Sequence, residues 1–446
     1  MENKKHLEHI LNTFEKFSYC VDSKTERDIE ENRKGNFVIK FQKQDGSAAK
    51  GVKVKVRQLS HEFKFGATLF YLDQFPDEER KKAYREKFLK LFNYAVLPLY
   101  WDTLEPVEGE PRFAEDAPFI SRRPPLDTMV RFCHENNLRM KGHCLAYNSF
   151  QPDWISDCNR TLKIQFDKRV KAIADRYADE FEDLDVINEM ISIYKNCYKG
   201  NGMRNLQLTD DRNYEKDSFD AAKRAFPHSR LFWNEGMEET FGNAYRGYRS
   251  FYYMTVEKYL REGVPIEGLG MQYHMYNRGA YDSANPLRLL DALDLYGEFG
   301  LPIHISEVSV PSYGSDPEAL WMQAEITKRL FKLWFSRKHC ESIVWWNIAD
   351  GTAYGDENEF CAGIIDNNCC EKPVYQELDQ LINHEWHTEF ETAADGELRF
   401  AGFYGEYEIT VTDGEKSITE KVRLTKDTTG FDNRLCDFRS KTIRIS

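Results

Sequence analysis

Eight short apolar runs, set 30 to 47 residues apart and separated by amphipathic stretches, constrain this chain more than any other feature of it. They begin near Lys64 (KFGATLF), Tyr94 (YAVLPLYW), Arg139 (RMKGHCLAY), Asp183 (DLDVINEM), Arg230 (RLFWNEG), Ile266 (IEGLGMQYH), Pro302 (PIHISEVSV) and Ser342 (SIVWWNIAD). Near-continuous apolarity means a strand covered on both faces, the condition of a parallel sheet rather than an antiparallel one with a wet side. The intervals carry helix-period segments such as DEERKKAYREKFLKLF, TLKIQFDKRVKAIADRYADEF and PEALWMQAEITKRLFKLWF, so each strand is followed by a crossover helix. Eight such units predict an α/β fold, a (β/α)8 TIM barrel.

The 446 residues exceed what one barrel needs, and the excess lies at the two ends. Residues 1 to 34 are polar and helical in pattern, followed by alternating segments Asn36 to Gln42 and Val52 to Gln58 around the turn signals Asp45-Gly46 and Gly51. These predict a β-hairpin. After His387 the pattern alternates again in GEYEITVT, SITEKVRLT and TIRIS, with Asp413-Gly414 as a turn. The expected division is an N-terminal helix and hairpin (1–60), a barrel (61–387) and a C-terminal β segment (388–446). The two end segments are expected to form one small β-rich accessory module, a structural lid rather than a carbohydrate-binding patch, because no exposed aromatic row stands out.

With 61 Lys+Arg against 74 Asp+Glu the net charge is −13, so nucleic acid and anionic membrane surfaces are not expected partners. No apolar run reaches the roughly 18 to 20 residues that span a bilayer, and the opening MENKKHLEHILNTFEKF is too charged for a signal-peptide core. A cytoplasmic location is expected for the sequence as written, and a secreted one if a leader precedes it. Ten cysteines are too sparse for a disulfide scaffold, and Cys361, Cys369 and Cys370 lack the paired spacing of a zinc site. No metal and no cofactor is expected.

In nearly every apolar run the C-terminal end is polar: Asn188-Glu189, Asn234-Glu235, Gln272 with His274, Glu307 and Asp350. In a barrel these ends share one mouth, where catalytic groups collect. Glu189 and Glu307 are carboxylates at a partly desolvated rim, where neighbours can push their pKa values apart. Two acids facing one cavity suit glycoside hydrolysis, one protonating the leaving oxygen while the other attacks the anomeric carbon or activates water. Either glutamate alone reads equally well as a buried ion pair; the two together, with Asn188 and His274 beside them, favour catalysis.

The motifs WDTLEP (Trp101 to Pro106), KGHCLAY (Lys141 to Tyr147), DVINEM (Asp185 to Met190), MQYH (Met271 to His274), ISEV (Ile305 to Val308), WNIAD (Trp346 to Asp350) and KPVY (Lys372 to Tyr375) resemble glycoside hydrolase family 10, the retaining endo-β-1,4-xylanases on a (β/α)8 barrel. The resemblance covers roughly residues 60 to 387. It implies that Glu189 is the general acid/base and Glu307 the nucleophile. It further implies that Asn188 bonds the sugar 2-hydroxyl, that His274 bonds the nucleophile, that Gln272 and His143 surround the minus-one sugar, and that Trp346 walls it.

Departures from the family pattern concern the next sugar. Where the family carries Glu, Asn and Lys around the second strand this chain has Val96, Leu97 and Tyr100, and where it carries Trp, His and Gln after the third strand this chain has Tyr147, Asn148 and Phe150. Apolar and aromatic replacements leave sugar hydroxyls unpaired at about 1 to 3 kcal/mol each, so an altered minus-two subsite is expected. Ser309 stands where the family has an Asp that pairs with the histidine, which is expected to make His274 less basic. The Pro-rich loop Glu105 to Pro125 follows the second strand, and its Arg122-Arg123 pair is expected to lie in a solvated loop rather than contact an acidic sugar.

The expected activity is cleavage of β-1,4-xylosidic bonds in xylan, decorated xylan fragments or xylo-oligosaccharides, the polysaccharide or oligosaccharide being the expected partner. A different β-glycoside is the alternative substrate. A non-catalytic sugar-binding barrel is disfavoured by the presence of both glutamates. A metal-dependent hydrolase using His143, His274 and His304 is disfavoured because neither HxH nor HExxH occurs.

Overall fold

The computed structural model describes residues 2–156, 158–191, 213–276, 281–426, 431–432, 437–438 and 440–445. The chain divides into two compact units, one of residues 1–21 and 65–377 and one of residues 22–64 and 378–446. The long helix α1 (Glu2–Arg33) opens the chain.

The first unit holds a closed barrel of eight parallel strands, β3 (Lys64–Thr68), β4 (Tyr94–Pro98), β5 (Arg139–Ala146), β6 (Asp183–Asn188), β7 (Arg230–Glu235), β8 (Gly268–His274), β9 (Ile303–Ser309) and β10 (Cys340–Trp345), each hydrogen-bonded to the next and β10 to β3. This is the predicted TIM barrel, and its strands coincide with the eight apolar runs. Between them lie α2 (Glu78–Leu91), α3 (Leu126–Glu135), α4 (Asn159–Tyr177), α5 (Tyr214–Ala225), α6 (Phe251–Arg261), α7 (Pro286–Gly297) and α8 (Pro317–Ser336). Helix α2 shows why these segments are helical: Asp77 caps its start by accepting from Arg80 N at 2.9 Å, and Tyr84, Phe88 and Leu91 fall on one buried stripe. Helix α8 starts on the same chemistry, with Asp316 accepting from Ala319 N at 3.1 Å and Pro317 in its first turn. No helix among the described residues is long and apolar enough to cross a membrane.

In the second unit the expected hairpin does not form. Strand β1 (Lys34–Lys43) lies in a three-stranded sheet between β12 (Glu397–Phe403) and β17 (Lys441–Ile445). Strand β2 (Val52–His61) lies in a four-stranded sheet between β11 (Glu389–Ala394) and β13 (Gly405–Asp413), with β14 (Lys416–Leu424) outermost. A two-residue pair, β15 (Phe431–Asp432) and β16 (Asp437–Phe438), lies between β14 and β17 in sequence. The Asp45-Gly46 turn is real, with Gly46 at φ 84° and Lys43 N bonded to Ser47 O at 2.8 Å, but it folds residues 47–49 onto the end of β1 before the chain crosses to the other sheet. Period-two alternation fixes which side chains point inward, not whether two strands pair or face one another across a core. Here they face: Phe37, Ile39 and Phe41 of β1 share a core with Val52, Val54 and Val56 of β2, Tyr407, Ile409 and Val411 of β13 and Ile443 and Ile445 of β17.

Candidate active site

Strand ends of the barrel bring all ten sequence-selected residues to one mouth. Glu307 lies on β9, where its Oε2 meets His274 Nε2 at 2.8 Å and its Oε1 accepts from Asn234 Nδ2 at 2.7 Å. Glu189 follows β6 directly. Its Oε1 accepts from Gln272 Nε2 at 2.8 Å and its Oε2 from the Tyr147 phenol at 2.7 Å. The two carboxylates are linked through amides, since Asn188 Oδ1 accepts from Asn234 Nδ2 at 2.7 Å and from Gln272 Nε2 at 3.3 Å. Glu189 sits at φ 54°, a left-handed conformation that costs a non-glycine residue about 1 to 3 kcal/mol and concentrates at functional positions.

The two glutamates are both buried, yet their environments drive them apart. For Glu189, burial and then the charge of Glu307 raise the pKa, against the opposing hydrogen bonds from Gln272 and Tyr147. For Glu307, burial also works upward, but the His274 hydrogen bond, the charges of His143 and His274 and the Asn234 hydrogen bond outweigh it and hold the group below the usual carboxylate value. One acid favouring its proton beside one favouring its charge is a pairing suited to acid–base and nucleophilic chemistry in one cavity.

His274 does not become a weakly basic ring for want of a carboxylate at 309. Its Nδ1 meets Ser309 Oγ at 3.0 Å, and Ser309 also accepts from Tyr276 at 2.9 Å. Burial acts to lower the imidazole, but the hydrogen bond and charge of Glu307 win and raise it. His143 is held on its other side by Asp185, Nδ1 to Oδ2 at 2.9 Å, while its Nε2 meets the Tyr100 phenol at 3.1 Å and lies 3.8 Å from Glu307 Oε1. Trp346 stands edge-on to both His143 and His274, with ring centres 5.6 Å apart in each case. Its buried indole Nε1 has no hydrogen-bond partner among the described residues.

The expected minus-two side chains form a different kind of surface. Val96 and Leu97 are buried in β4. Tyr100 and Phe150 touch neither glutamate; they pack on each other at 4.8 Å and join Phe70, Cys144 and Trp346 in an apolar cluster. Tyr147 alone of this group reaches a carboxylate. Arg122 and Arg123 are not on a solvated loop, as the Pro-rich sequence suggests: both are 7% exposed, with the Arg123 guanidinium 4.2 Å over the Tyr100 ring. Sequence composition does not reveal that rings following β3, β4 and β5, those of Phe70, Tyr100 and Phe150, cover this stretch.

Two site residues were given no role from sequence. Asn234 bridges Asn188 and Glu307 and is itself held by Ser306 Oγ at 2.5 Å. Its signal is its place at a strand end, in FWNEG. Asp185 pairs with Lys141 at 2.7 Å as well as with His143. Its signal is a charge inside an apolar strand, which demands a buried partner.

A family model described as glycosyl hydrolase family 10 matches residues 99–381. The chain is 27% identical over 404 residues to the anti-sigma-I factor RsgI6 of Acetivibrio thermocellus, covering 88% of this chain and 46% of that protein. It is 26% identical over 324 residues to endo-1,4-beta-xylanase B of Thermotoga neapolitana, covering 70% and 85%, and it spans 28% of endo-1,4-beta-xylanase B of Neocallimastix patriciarum. It thus spans about half or less of the curated relatives it first matches. Among solved structures, xylanase 10B from Thermotoga petrophila RKU-1 in complex with xylobiose superposes with a TM-score of 0.58 at 23% identity, over 73% of this chain and 95% of that one, a likeness of fold.

Proposed function

This chain belongs to glycosyl hydrolase family 10, and from that premise we propose that its barrel cleaves β-1,4-xylosidic bonds in xylan, decorated xylan fragments or xylo-oligosaccharides by a retaining double displacement. The names of the xylanase relatives support the substrate class. The observation that carries the mechanism is the pair of buried carboxylates at one mouth, Glu307 held by His274 and Asn234 and Glu189 by Gln272 and Tyr147, with surroundings that favour the proton on Glu189 and the charge on Glu307.

Glu307, held ionised, donates an electron pair to the anomeric carbon as the glycosidic C–O bond breaks, and Glu189 gives its proton to the departing oxygen. The resulting glycosyl ester on Glu307 is hydrolysed when Glu189, now a carboxylate, takes a proton from water and the hydroxide oxygen attacks the same carbon, releasing Glu307. His274 and Asn234 fix the two oxygens of the nucleophile, so little reorganisation is needed as its charge is spent. Trp346, edge-on to His143 and His274, offers an apolar ring surface to the sugar in the minus-one position.

The test is a product profile on linear xylan, glucuronoarabinoxylan, xylo-oligosaccharides and aryl β-xyloside or β-glucoside, with the anomer of the first product read by NMR and Glu307→Ala as control. Release of β-anomeric xylo-oligosaccharides that the variant abolishes is expected. An α-anomeric first product overturns retention; cleavage of another β-glycoside alone moves the substrate; binding without cleavage favours the sugar-binding reading.

A further inference from the structure

Among the described residues, most buried cations of this barrel have a carboxylate or several carbonyls as partners. Lys141 pairs with Asp185 at 2.7 Å, Lys372 with Asp350 at 3.0 Å and Arg337 with Asp294 at 3.1 Å. Arg169, which lacks a carboxylate, donates to three backbone carbonyls, those of Leu99, Cys144 and Leu145. Among the described residues the Arg123 guanidinium makes a single hydrogen bond, Nη1 to Arg122 O at 2.9 Å, and its buried Nε has no partner. Arg122, its neighbour, donates to Asn347 Oδ1 at 2.6 Å and to Thr352 O, and its Nε likewise has no partner among them. Neither guanidinium has a carboxylate within ion-pair distance among the described residues; Asp102 and Glu357 act only at longer range.

Two adjacent positive charges at 7% exposure without an anion are costly, because each has lost its water and each repels the other. Aromatic faces compensate in part: the Arg123 guanidinium lies 4.2 Å from the Tyr100 ring centre, 5.3 Å from Phe70 and 5.5 Å from Phe150. These rings also hold it in place. Tyr100 meets His143 at 3.1 Å, and His143 lies 3.8 Å from Glu307, so one phenol and one imidazole stand between the cation and Glu307. At the rim Phe150 packs against the exposed Tyr354 at 5.3 Å.

We propose that Arg123, backed by Arg122, is a receptor for a carboxylate carried on the substrate, a uronic-acid unit next to the sugar being cleaved. This rests on the glycosidase reading above and adds its specificity: an acidic oligosaccharide is the preferred substrate and a neutral one the poorer. The planar fork of a guanidinium accepts a carboxylate with two parallel N–H bonds, using donors that the protein leaves idle.

The experiment compares three substrates of equal backbone length with the wild-type protein: a xylo-oligosaccharide bearing one glucuronic acid branch, the same compound with its carboxyl reduced to the alcohol, and the linear chain. Charge-assisted bonds of this kind predict a kcat/KM for the acid about 10- to 100-fold above that for its reduced counterpart, falling as salt is raised. Arg123→Met should bring the ratio close to one. Cleavage of acid and reduced substrates within twofold of each other overturns the receptor and leaves the hydrolase standing. A folded Arg123→Met protein that keeps the wild-type ratio also overturns it. No cleavage of any of the three by the wild type overturns the hydrolase reading and this inference with it. Should the variant not fold, the wild-type comparison decides alone.

Discussion

The phenol of Tyr147 and the amide of Gln272 both donate to Glu189, and such donors favour the ionised carboxylate. Tyr147→Phe removes one of them, so the pKa of Glu189, already raised by burial and by Glu307, rises further. The basic limb of the kcat/KM profile, where the general acid loses its proton, should then move to higher pH, while the acidic limb set by Glu307 stays in place. Profiles of wild type and variant on one xylo-oligosaccharide check this, and a basic limb that moves to lower pH contradicts it. Glu189→Gln should spare aryl glycosides with good leaving groups in the glycosylation step and slow natural substrates by 10²-fold or more, about the worth of general acid catalysis; equal losses on both would place the proton donor elsewhere. The placement of the two glutamates at the barrel mouth was legible in sequence because an ionisable group closing an apolar run marks a strand end. The contacts of Asn234 and Arg123 were not, because nothing in a one-dimensional string says that an amide spans two strands or that an arginine in a Pro-rich stretch is packed under aromatic rings.

Strand β8 shows how an element can carry part of the site's geometry without contributing a reacting group. A Cβ at Gly270 would collide with the Asn234 side chain, the bridge between Asn188 and Glu307. Gly270→Ala should therefore lower kcat at least 10-fold while costing about 1 to 3 kcal/mol of stability, the usual range for overpacking. Steady-state kinetics beside a denaturant melt separate the two effects, and a variant destabilised but fully active would show that Asn234 can shift without consequence. Elsewhere in the barrel, Asp77→Ala should cost α2 about 1 kcal/mol through its cap with kcat unchanged. The barrel strands were readable because burial on both faces writes itself as continuous apolarity. The sheets of the second unit were not, because β1 and β2 carry the same alternation whether they pair with each other or, as they do, with β12 and β17 and with β11 and β13.

At the scale of the whole molecule, the three- and four-stranded sheets of the second unit each interleave strands from both sides of the barrel in sequence. Removing residues 388–446 takes away both hydrogen-bonding neighbours of β1 and both of β2, and uncovers Phe37, Ile39, Val52, Val54 and Val56. Open strand edges beside an apolar face drive association, so the shortened protein should aggregate or bind a hydrophobic dye strongly, and a monomeric soluble product would show that β1 and β2 find another cover. The same arrangement sets a timetable. A ribosome working at about 5 to 20 residues per second finishes β2 roughly 15 to 65 s before β11, about 330 residues further on, begins to emerge. Through that interval β1 and β2 wait without their native mates while the barrel segment is being made, an exposure set by the order of the strands in the chain and not by the final stability of the sheets.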